Sequence, residues 1–308
     1  MRSWATCSTI SAVCKEANVK LLVFGSLNID HTYQVPHLVR EGETLSSSVY
    51  TKNEGGKGFN QAAALAKAGL PVFFAGAIGE DGMFLKAYLQ SLNINVSNIQ
   101  VLDVPSGHAI IQVDEAGSNS IILYGGANQA ITEEQIDHVL AQFDEGDYIL
   151  LQNEISLGET ILRKAHSKGI HVILNPSPIS PELLTWPLEM VDWLILNEIE
   201  GADLSGKNDP DEMIATLMQR FSIPHIVLTL GEKGAMYASG ATRIHQEAIP
   251  TTVVDTTAAG DTFTGYFFAA IFSGKEPAEA LRRAAAASAL AISKEGAAKS
   301  IPWARDVH

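Results

Sequence analysis

Short apolar runs recur along the chain and alternate with stretches that have helical spacing. The runs are VKLLVFG (19–25), PVFFAGAIG (71–79), YILLQN (148–153), HVILNP (171–176), DWLILN (192–197) and HIVLTLG (225–231). Because these runs are apolar on both faces, they predict strands of a parallel sheet covered by helices on both sides. The stretches FNQAAALAKAG, GDTFTGYFFAAIFSG and PAEALRRAAAASALAIS lack an interior proline and fit such helices. The predicted fold is therefore α/β, a doubly wound and mostly parallel sheet.

Two segments depart from this alternation of strands and helices. Residues 31–53 have the pattern of strand, turn and strand, and residues 108–126 that of a hairpin turning at Glu115, Ala116 and Gly117. We expect these four strands to form a small sheet, here called the lid, inserted into a main domain that spans 19–308. The second hairpin is apolar on both faces, so one face can cover the main domain while the other needs a second partner, such as another subunit.

Composition and charge narrow the classes of function. The 308 residues are 46% hydrophobic and 18% charged, as in an ordinary globular protein, and the formal net charge is −14. Lys and Arg are scattered, so neither a nucleic acid nor an anionic membrane is an expected partner.

The N-terminal segment carries no clear structural signal. Both cysteines, Cys7 and Cys14, lie in it without the neighbours of a disulfide scaffold or a zinc site. It also lacks the continuous apolar run of a signal peptide, and no run in the chain is long enough to span a bilayer. We therefore expect a cytoplasmic protein in which residues 1–18 form a loose tail.

A glycine-rich segment, GGKGFN (55–60), opens the first predicted helix. It does not have the frame of a Walker loop. It either makes a tight turn or holds a polar ligand through its exposed amides, the Lys57 ammonium and the Asn60 amide. The sites predicted in this segment are Gly56, Lys57, Gly58 and Asn60.

Polar side chains follow several predicted strands. Asn28 and Asp30 follow the first strand, Glu154 the strand YILLQN, and Asn197 and Glu200 the strand DWLILN. A carboxylate such as Asp30 either accepts two hydrogen bonds from a sugar diol or serves as a turn residue. Asn197 and Glu200 share a helical face, so they either orient water around Mg²⁺ or form a capping box.

Two further candidate segments lie in the C-terminal half of the chain. The first, TLGEKG (229–234), joins two strands and is a weak signal by itself. The second, DTTAAGD (255–261), precedes an apolar helix, so it is either a helix cap or an anion site with a base beside it. Ligands of such sheets bind outside the carboxyl ends of the strands, where these segments converge.

Within residues 255–261, small residues allow close approach of a ligand. The amides of Ala258, Ala259 and Gly260 would stabilise charge on a transferring phosphoryl group. Asp261 could take a proton from an attacking hydroxyl. Asp255 is displaced by the intervening loop and suits either a cation or the loop's own amides.

Taken in order, these motifs resemble the ribokinase family of sugar kinases, also called the pfkB-type carbohydrate kinases, over about residues 19–305. The resemblance implies transfer of the γ-phosphoryl group of ATP to the primary (5-) hydroxyl of a pentose, with D-ribose as the expected acceptor. It also implies a lid that clasps a second subunit in a homodimer. Phe59 stands where the family has a small residue, so we expect a reshaped or narrowed sugar pocket.

The resemblance assigns a role to each matched residue. Asp261 would be the catalytic base, and Ala258, Ala259 and Gly260 the anion hole. The sugar would be held by Asn28, Asp30, Gly56, Lys57, Gly58, Asn60, Glu154 and Asp261. The nucleotide would be lined by Asn197, Thr229, Gly231, Lys233, Gly234 and Gly260, with Asn197 and Glu200 near Mg²⁺. A potassium-type monovalent cation would be held by Asp255, Thr257, Ala291, Lys294, Gly296 and Ser300.

Other functions stay open at this point. The acceptor could be deoxyribose, a ketohexose or its phosphate, or a nucleoside. The chain could also be a catalytically silent sugar-binding protein of the same fold, although such a protein would not need Asp261 and the anion hole. A nicotinamide-dependent dehydrogenase is disfavoured, because its first strand leads into Gly-x-Gly-x-x-Gly and this one leads into GSLNID.

Overall fold

The computed structural model describes residues 19–308, and the predicted tail lies outside them. The strands are β1 (Leu21–Phe24), β2 (Asn28–Gln34), β3 (Val49–Gly55), β4 (Phe73–Gly79), β5 (Asn95–Leu102), β6 (Gly107–Val113), β7 (Asn119–Tyr124), β8 (Tyr148–Gln152), β9 (His171–Asn175), β10 (Trp193–Asn197), β11 (His225–Thr229), β12 (Ala235–Ser239) and β13 (Thr242–Gln246). The helices are α1 (Lys57–Lys67), α2 (Met83–Ser91), α3 (Glu133–Leu140), α4 (Gly158–Ser167), α5 (Glu198–Ser205), α6 (Pro210–Phe221), α7 (Ala259–Phe272) and α8 (Pro277–Ile292).

The main sheet has nine strands in the order β13-β12-β11-β10-β9-β8-β1-β4-β5. Pairing is parallel from β5 to β11 and antiparallel from β11 to β13. All six apolar runs form strands of this sheet, which confirms the predicted fold class. The sequence pattern did not single out β5 and β13, because these edge strands are exposed at alternate or most positions.

Two apolar clusters fill the spaces on either side of the main sheet. Alternate residues of β1 point to opposite sides, so Leu21 and Val23 join one cluster and Leu22 and Phe24 the other. Helices α1, α2, α7 and α8 cover the first side, and α3, α4, α5 and α6 cover the second. Burial on both faces is the reason that the strand sequences are continuously apolar.

The lid is a separate four-stranded sheet in the order β3-β2-β6-β7. Its central strands β2 and β6 are parallel, and β2-β3 and β6-β7 are antiparallel hairpins. The lid begins at Asn28, earlier than predicted, because the Asn128 side chain bonds both backbone groups of Leu27 and draws the chain out of the main sheet. Asn28 and Asp30 thus lie on a lid strand and not at the end of β1, which corrects the sequence interpretation.

Within residues 19–308, no helix is both long and apolar enough to cross a membrane.

Candidate active site

The carboxyl ends of β10 and β11 meet the start of α7 around a cavity of about 230 Å³. The predicted site residues that line it are Lys57, Asn197, Glu200, Thr229, Ala258, Ala259, Gly260 and Asp261. Predicted residues from four separate segments therefore share one cavity. The remaining predicted nucleotide residues, Gly231, Lys233 and Gly234, lie after β11 and do not line it. Gly234 has a local role, because with φ of 93° its Cβ would collide with the Gln246 carbonyl oxygen.

The start of α7 faces this cavity without a side-chain cap. Ala258 occupies the N-cap in a left-handed conformation, with φ of 59°, and offers no side-chain cap. Of the three predicted anion-hole amides, that of Ala259 donates to the Thr256 carbonyl over 3.2 Å and so bonds within its own turn. A Cβ added to Gly260 would meet no described atom within 4 Å, so a ligand can approach there. An uncapped helix start of this kind favours an anion.

Asp261 is buried in the first turn of α7, and two amides from α1 hold its carboxylate. Asn60 Nδ2 donates to one oxygen over 3.1 Å, and Gln61 Nε2 donates to the other over 2.9 Å. Among residues 19–308, the buried Asn60 Oδ1 has no hydrogen-bond partner. An unpaired buried acceptor needs a donor, and a sugar hydroxyl beside Asp261 would supply one.

Glu154 connects the glycine-rich segment to the end of β8. It accepts hydrogen bonds from the Ser26 hydroxyl and from the Lys57 amide, the latter over 3.0 Å. Burial raises the pKa of Glu154 and the Asp261 charge adds to this, while Lys57 and the Ser26 bond oppose it. Gly58 lies close against this junction, since a Cβ there would come within 2.6 Å of the Ser26 amide nitrogen. The segment therefore requires glycine at this position.

The Lys57 ammonium lies between the predicted sugar and nucleotide residues. Burial lowers its pKa, but Asp261, Glu154 and Glu200 outweigh burial and raise the pKa above its usual value. Lys57 therefore stays charged and offsets part of the negative charge of the three carboxylates.

Asn28 and Asp30 are the predicted sugar-binding residues that lie on the lid. Asn28 is buried, and its Oδ1 accepts a hydrogen bond of 2.7 Å from Asn128 Nδ2. This bond leaves the Nδ2 group of Asn28 as the donor available to a ligand. Burial, followed by the charges of Glu154 and Glu54, raises the pKa of Asp30 to about 7.

Asn197 and Glu200 form a capping box at the start of α5. Asn197 Oδ1 accepts from the amide of Glu200 over 2.9 Å, and Glu200 Oε2 accepts from the amide of Asn197 over 3.0 Å. Both residues also line the cavity, so the structural and functional interpretations are compatible. The box occupies one oxygen of Glu200 and leaves the other for water or an ion.

Asp255 binds two segments of backbone. Its Oδ1 accepts from the Thr257 amide and its Oδ2 from the Gly296 amide, each over 2.9 Å. Burial raises the pKa of Asp255, but these hydrogen bonds outweigh burial and lower the pKa overall. Of the two roles that the sequence left open, the structure shows the binding of the loop's own amides.

Of the other residues predicted to hold the monovalent cation, Thr257 precedes α7 and Ala291 lies in the last turn of α8. The remaining three, Lys294, Gly296 and Ser300, lie on the loop after α8. The Lys294 amide donates to the Ala291 carbonyl over 3.1 Å, and the buried Ser300 hydroxyl donates to the Ala297 carbonyl over 2.9 Å. Within residues 19–308, no group of three or more His, Cys, Asp or Glu side chains is placed to hold a metal. Any cation at this loop would depend on backbone carbonyl oxygens, which hard cations accept as ligands.

Comparison with known proteins identifies the family of the chain. A family model described as pfkB family carbohydrate kinase matches residues 18–304. The chain belongs to this family of carbohydrate kinases. The kinase is thus a phosphotransferase that acts on an alcohol group.

Relatives of this carbohydrate kinase extend over nearly its whole length. A ribokinase of Haemophilus influenzae is 37% identical over 295 residues, which span 92% of this chain and 95% of the relative. The structure of Arabidopsis thaliana ribokinase complexed with ribose and ATP has a TM-score of 0.82 and 33% identity, covering 94% of this chain and 97% of that one. The Cryptococcus neoformans ribokinase structure in complex with ADP has a TM-score of 0.80 and 36% identity, covering 94% and 98%.

Sequence reasoning missed several groups of the kinase site, namely Ser26, Gln61, Asn128, Gln152 and Asn175. Each is buried and bonded to a predicted site residue or to a neighbour of one. The sequence does contain one signal for such residues. A polar amide at the end of an apolar strand, or inside an alanine-rich helix, needs a buried hydrogen-bond partner.

Phe59 does not enter the cavity of the kinase. Its side chain is fully buried in the apolar cluster beneath α1, where the ring contacts Tyr88 with 5.5 Å between centroids. The expected narrowing of the sugar pocket by Phe59 therefore has no support in the structure, because the ring points into the core.

Proposed function

We propose that the protein phosphorylates the primary (5-) hydroxyl of D-ribose with ATP and forms ribose 5-phosphate. The observation that carries the proposal is the carboxylate of Asp261, held by two amides beside the uncapped start of α7. A base next to an anion-binding helix start fits proton removal from a hydroxyl that attacks a phosphoryl group. Relatives of high coverage include ribokinases, one of them solved with ribose and ATP, and these support ribose as the acceptor.

In the proposed reaction, the sugar lies between the lid and Asp261. Asp30 accepts hydrogen bonds from a vicinal diol of the sugar, and Asn28, Asn60 and Glu154 bind its other hydroxyls. Asp261 removes the proton of the 5-hydroxyl as this oxygen attacks the γ-phosphorus of ATP, and the bond from the γ-phosphorus to the bridging oxygen breaks to release ADP. The amides at the start of α7 and the Lys57 ammonium stabilise the negative charge on the transferring group.

Two cations are part of the proposal. Glu200 and Asn197 fit Mg²⁺ bound partly through water, since one Glu200 oxygen is free of the capping box. Mg²⁺ bound there supplies charge neutralisation for the phosphates of ATP. The residues suited to a monovalent cation are Asp255, Thr257, Ala291, Lys294, Gly296 and Ser300. The negative charge of Asp255 and the carbonyl groups of its loops support K⁺ at this position.

We further propose a homodimer formed through the lids. The edge strand β7 is exposed along its whole length, including Ile121, Ile122, Leu123 and Tyr124. An apolar edge strand of this kind favours pairing with another chain. The net charge of −14 supports small-molecule partners over nucleic acid, and the use of ATP supports the cytoplasm as location.

A coupled ADP-release assay over D-ribose, 2-deoxyribose, fructose and a nucleoside, each with and without K⁺, tests the proposal. We expect the highest kcat/KM with ribose and a lower rate without K⁺. Asp261→Asn should fold normally and lower kcat by about a hundred- to ten-thousand-fold, the range of general-base contributions. A near-normal rate in this variant would refute the role of Asp261. Tight ribose binding with no turnover in the wild type would favour the silent sugar-binding protein.

A further inference from the structure

A chain of buried side-chain amides leads from β10 to Asp261, and a backbone carbonyl fixes its direction. Asn175, at the end of β9, donates through Nδ2 to the Ile195 carbonyl oxygen over 2.9 Å. A backbone carbonyl can only accept, so Asn175 must present its Nδ2 group to Ile195. Its Oδ1 then faces Gln61 on α1, from which it accepts a hydrogen bond of 3.2 Å.

Gln61 has one favourable orientation as a result. Its Nε2 group donates to Asn175 Oδ1 and, over 2.9 Å, to Asp261 Oδ1, which uses both hydrogens. Its Oε1 accepts a hydrogen bond of 2.7 Å from Gln152 Nε2 at the end of β8. A flipped Gln61 amide would place Oε1 against two acceptor oxygens and Nε2 against the amide NH2 group of Gln152, so all three hydrogen bonds of Gln61 would be lost.

The glutamines of this chain are removed from solvent. The exposed fractions of Gln61 and Gln152 are both 1%, while Asn175 and Asp261, at 9% and 8%, reach the active-site cavity. A hydrogen bond between an amide and a buried carboxylate is among the stronger ones in proteins, and its loss leaves the charge less well solvated. The donor that Gln61 supplies to Asp261 is therefore set by the fold.

We propose that Gln61 is a positioning residue for phosphoryl transfer, which holds the Asp261 carboxylate in one orientation toward the sugar hydroxyl. This inference rests on the proposed function of Asp261 as the base. Gln61 and Asn60 each occupy one lone pair of a different Asp261 oxygen. Lone pairs thus remain on both oxygens, but the plane of the carboxylate is fixed, so the attacking hydroxyl meets an acceptor that needs no rearrangement.

The test compares Gln61→Met with Gln135→Met in the full-length protein. Both replace a buried glutamine of similar exposure by a side chain of similar volume that cannot donate. Gln135, on α3, donates to the Gly76 carbonyl over 2.9 Å and does not line the active-site cavity, so it is a matched control for lost burial and bonding. Thermal unfolding, ribose KM, kcat and the pH dependence of kcat are measured for both variants.

We expect Gln61→Met to lower kcat about ten- to hundred-fold, the loss expected for a hydrogen bond to a charged group, with ribose KM changed much less. The acid limb of the pH–kcat profile should move to higher pH, because the carboxylate form has lost a donor. Gln61→Glu should move the acid limb at least as far, since a second carboxylate then faces Asp261. Gln135→Met should change thermal stability alone.

The Asp261 and Gln61 variants separate the proposed function from the positioning role. If Asp261→Asn retains its rate, the proposed function fails. If Asp261→Asn is inactive while folded Gln61→Met keeps the wild-type kcat and pH profile, only the positioning role of Gln61 fails. The role also fails if Gln135→Met shifts the acid limb as far as Gln61→Met does. Should Gln61→Met not fold, the pH profile of Gln61→Glu decides in the same way.

Discussion

At the scale of single residues, the carboxyl group of Asp30 on the lid has a raised pKa. Burial is the main reason that its pKa rises from 3.8 to about 7, and two neighbouring carboxylates add to it. A protonated carboxyl group keeps only part of the acceptor capacity of a carboxylate, so it is a poorer partner for a sugar diol. Sugar binding should therefore favour, and depend on, the ionised form.

We predict that ribose KM rises as pH falls below about 7, approaching tenfold per pH unit, because the free protein must lose a proton from Asp30 to bind the sugar. In Asp30→Asn, KM should be high and nearly independent of pH over the same range. Initial rates at several ribose concentrations between pH 5.5 and pH 8.5 provide the measurement. Asp103→Asn, which removes an exposed carboxylate, is the control, and a flat wild-type KM would contradict the prediction.

The same pKa shift has a predictable effect on stability. Because the folded protein binds the Asp30 proton more tightly than the unfolded chain, the contribution of Asp30 to the free energy of unfolding falls as pH rises from 3.8 toward about 7. Asp30→Asn should then unfold at a higher temperature than wild type at pH 8 and not at pH 4. This comparison separates the charge of Asp30 from its contact with the sugar.

At the scale of elements, the contact between α1 and α7 positions the base. Gly265 lies one turn after Asp261, and Ala64 and Leu65 lie one turn after Asn60 and Gln61. A Cβ on Gly265 would come within 2.3 Å of the Ala64 Cβ and 2.8 Å of the Leu65 amide nitrogen. The helices can therefore approach closely enough for the Asp261 bonds only because this residue is glycine.

We predict that Gly265→Ala separates α1 from α7, lowers the free energy of unfolding by about 1–3 kcal/mol and lowers kcat with it. The measurements are urea unfolding and kcat at saturating ribose. Gly201→Ala on α5 is the matched control, because its Cβ would meet only side-chain atoms, the nearest being Met213 Sδ at 3.0 Å. If the two substitutions had equal effects on stability and kcat, the α1–α7 contact would not have the proposed role of positioning the base.

At the scale of the whole molecule, the lid carries apolar surface that the described chain does not cover. Ile122 on the edge strand is 63% exposed, and its neighbours on β7 are exposed as well. If this surface is a dimer interface, it also joins the sugar site of one chain to its partner, because Asp30 lies on the same small sheet.

We predict that Ile122→Glu converts a dimer into a monomer and raises ribose KM, because a charge in the apolar interface is costly to bury and the lid loses its support. Sedimentation velocity and initial rates give the two measurements. Leu184→Glu is the control, since Leu184 is 52% exposed and lies outside both the lid and the active-site cavity. The lid interface would be contradicted if the wild-type protein sediments as a monomer, or if the Ile122→Glu variant still sediments as a dimer.

Much of the fold and part of the site followed from the amino-acid sequence alone. Buried parallel strands must be apolar on both faces, so β1, β4 and β8–β11 were visible as continuous runs, and glycine-rich or acidic segments at their ends indicated the site. Edge strands such as β5 and β13 gave weaker patterns because solvent reaches them. The capping box at Asn197 and the functional role of that residue could not be separated, since both need the same side chains at the same spacing.

The sequence by itself determined the layered architecture and the chemistry available, because periodic burial and local backbone requirements act over a few residues. Only the tertiary structure decided which groups touch Asp261, that Asn28 and Asp30 belong to the lid, and that Phe59 faces the core. The bonds from Asn60 and Gln61 to Asp261 join residues about 200 positions apart. Such contacts depend on helix packing and on the direction of hydrogen bonds, which no local pattern encodes.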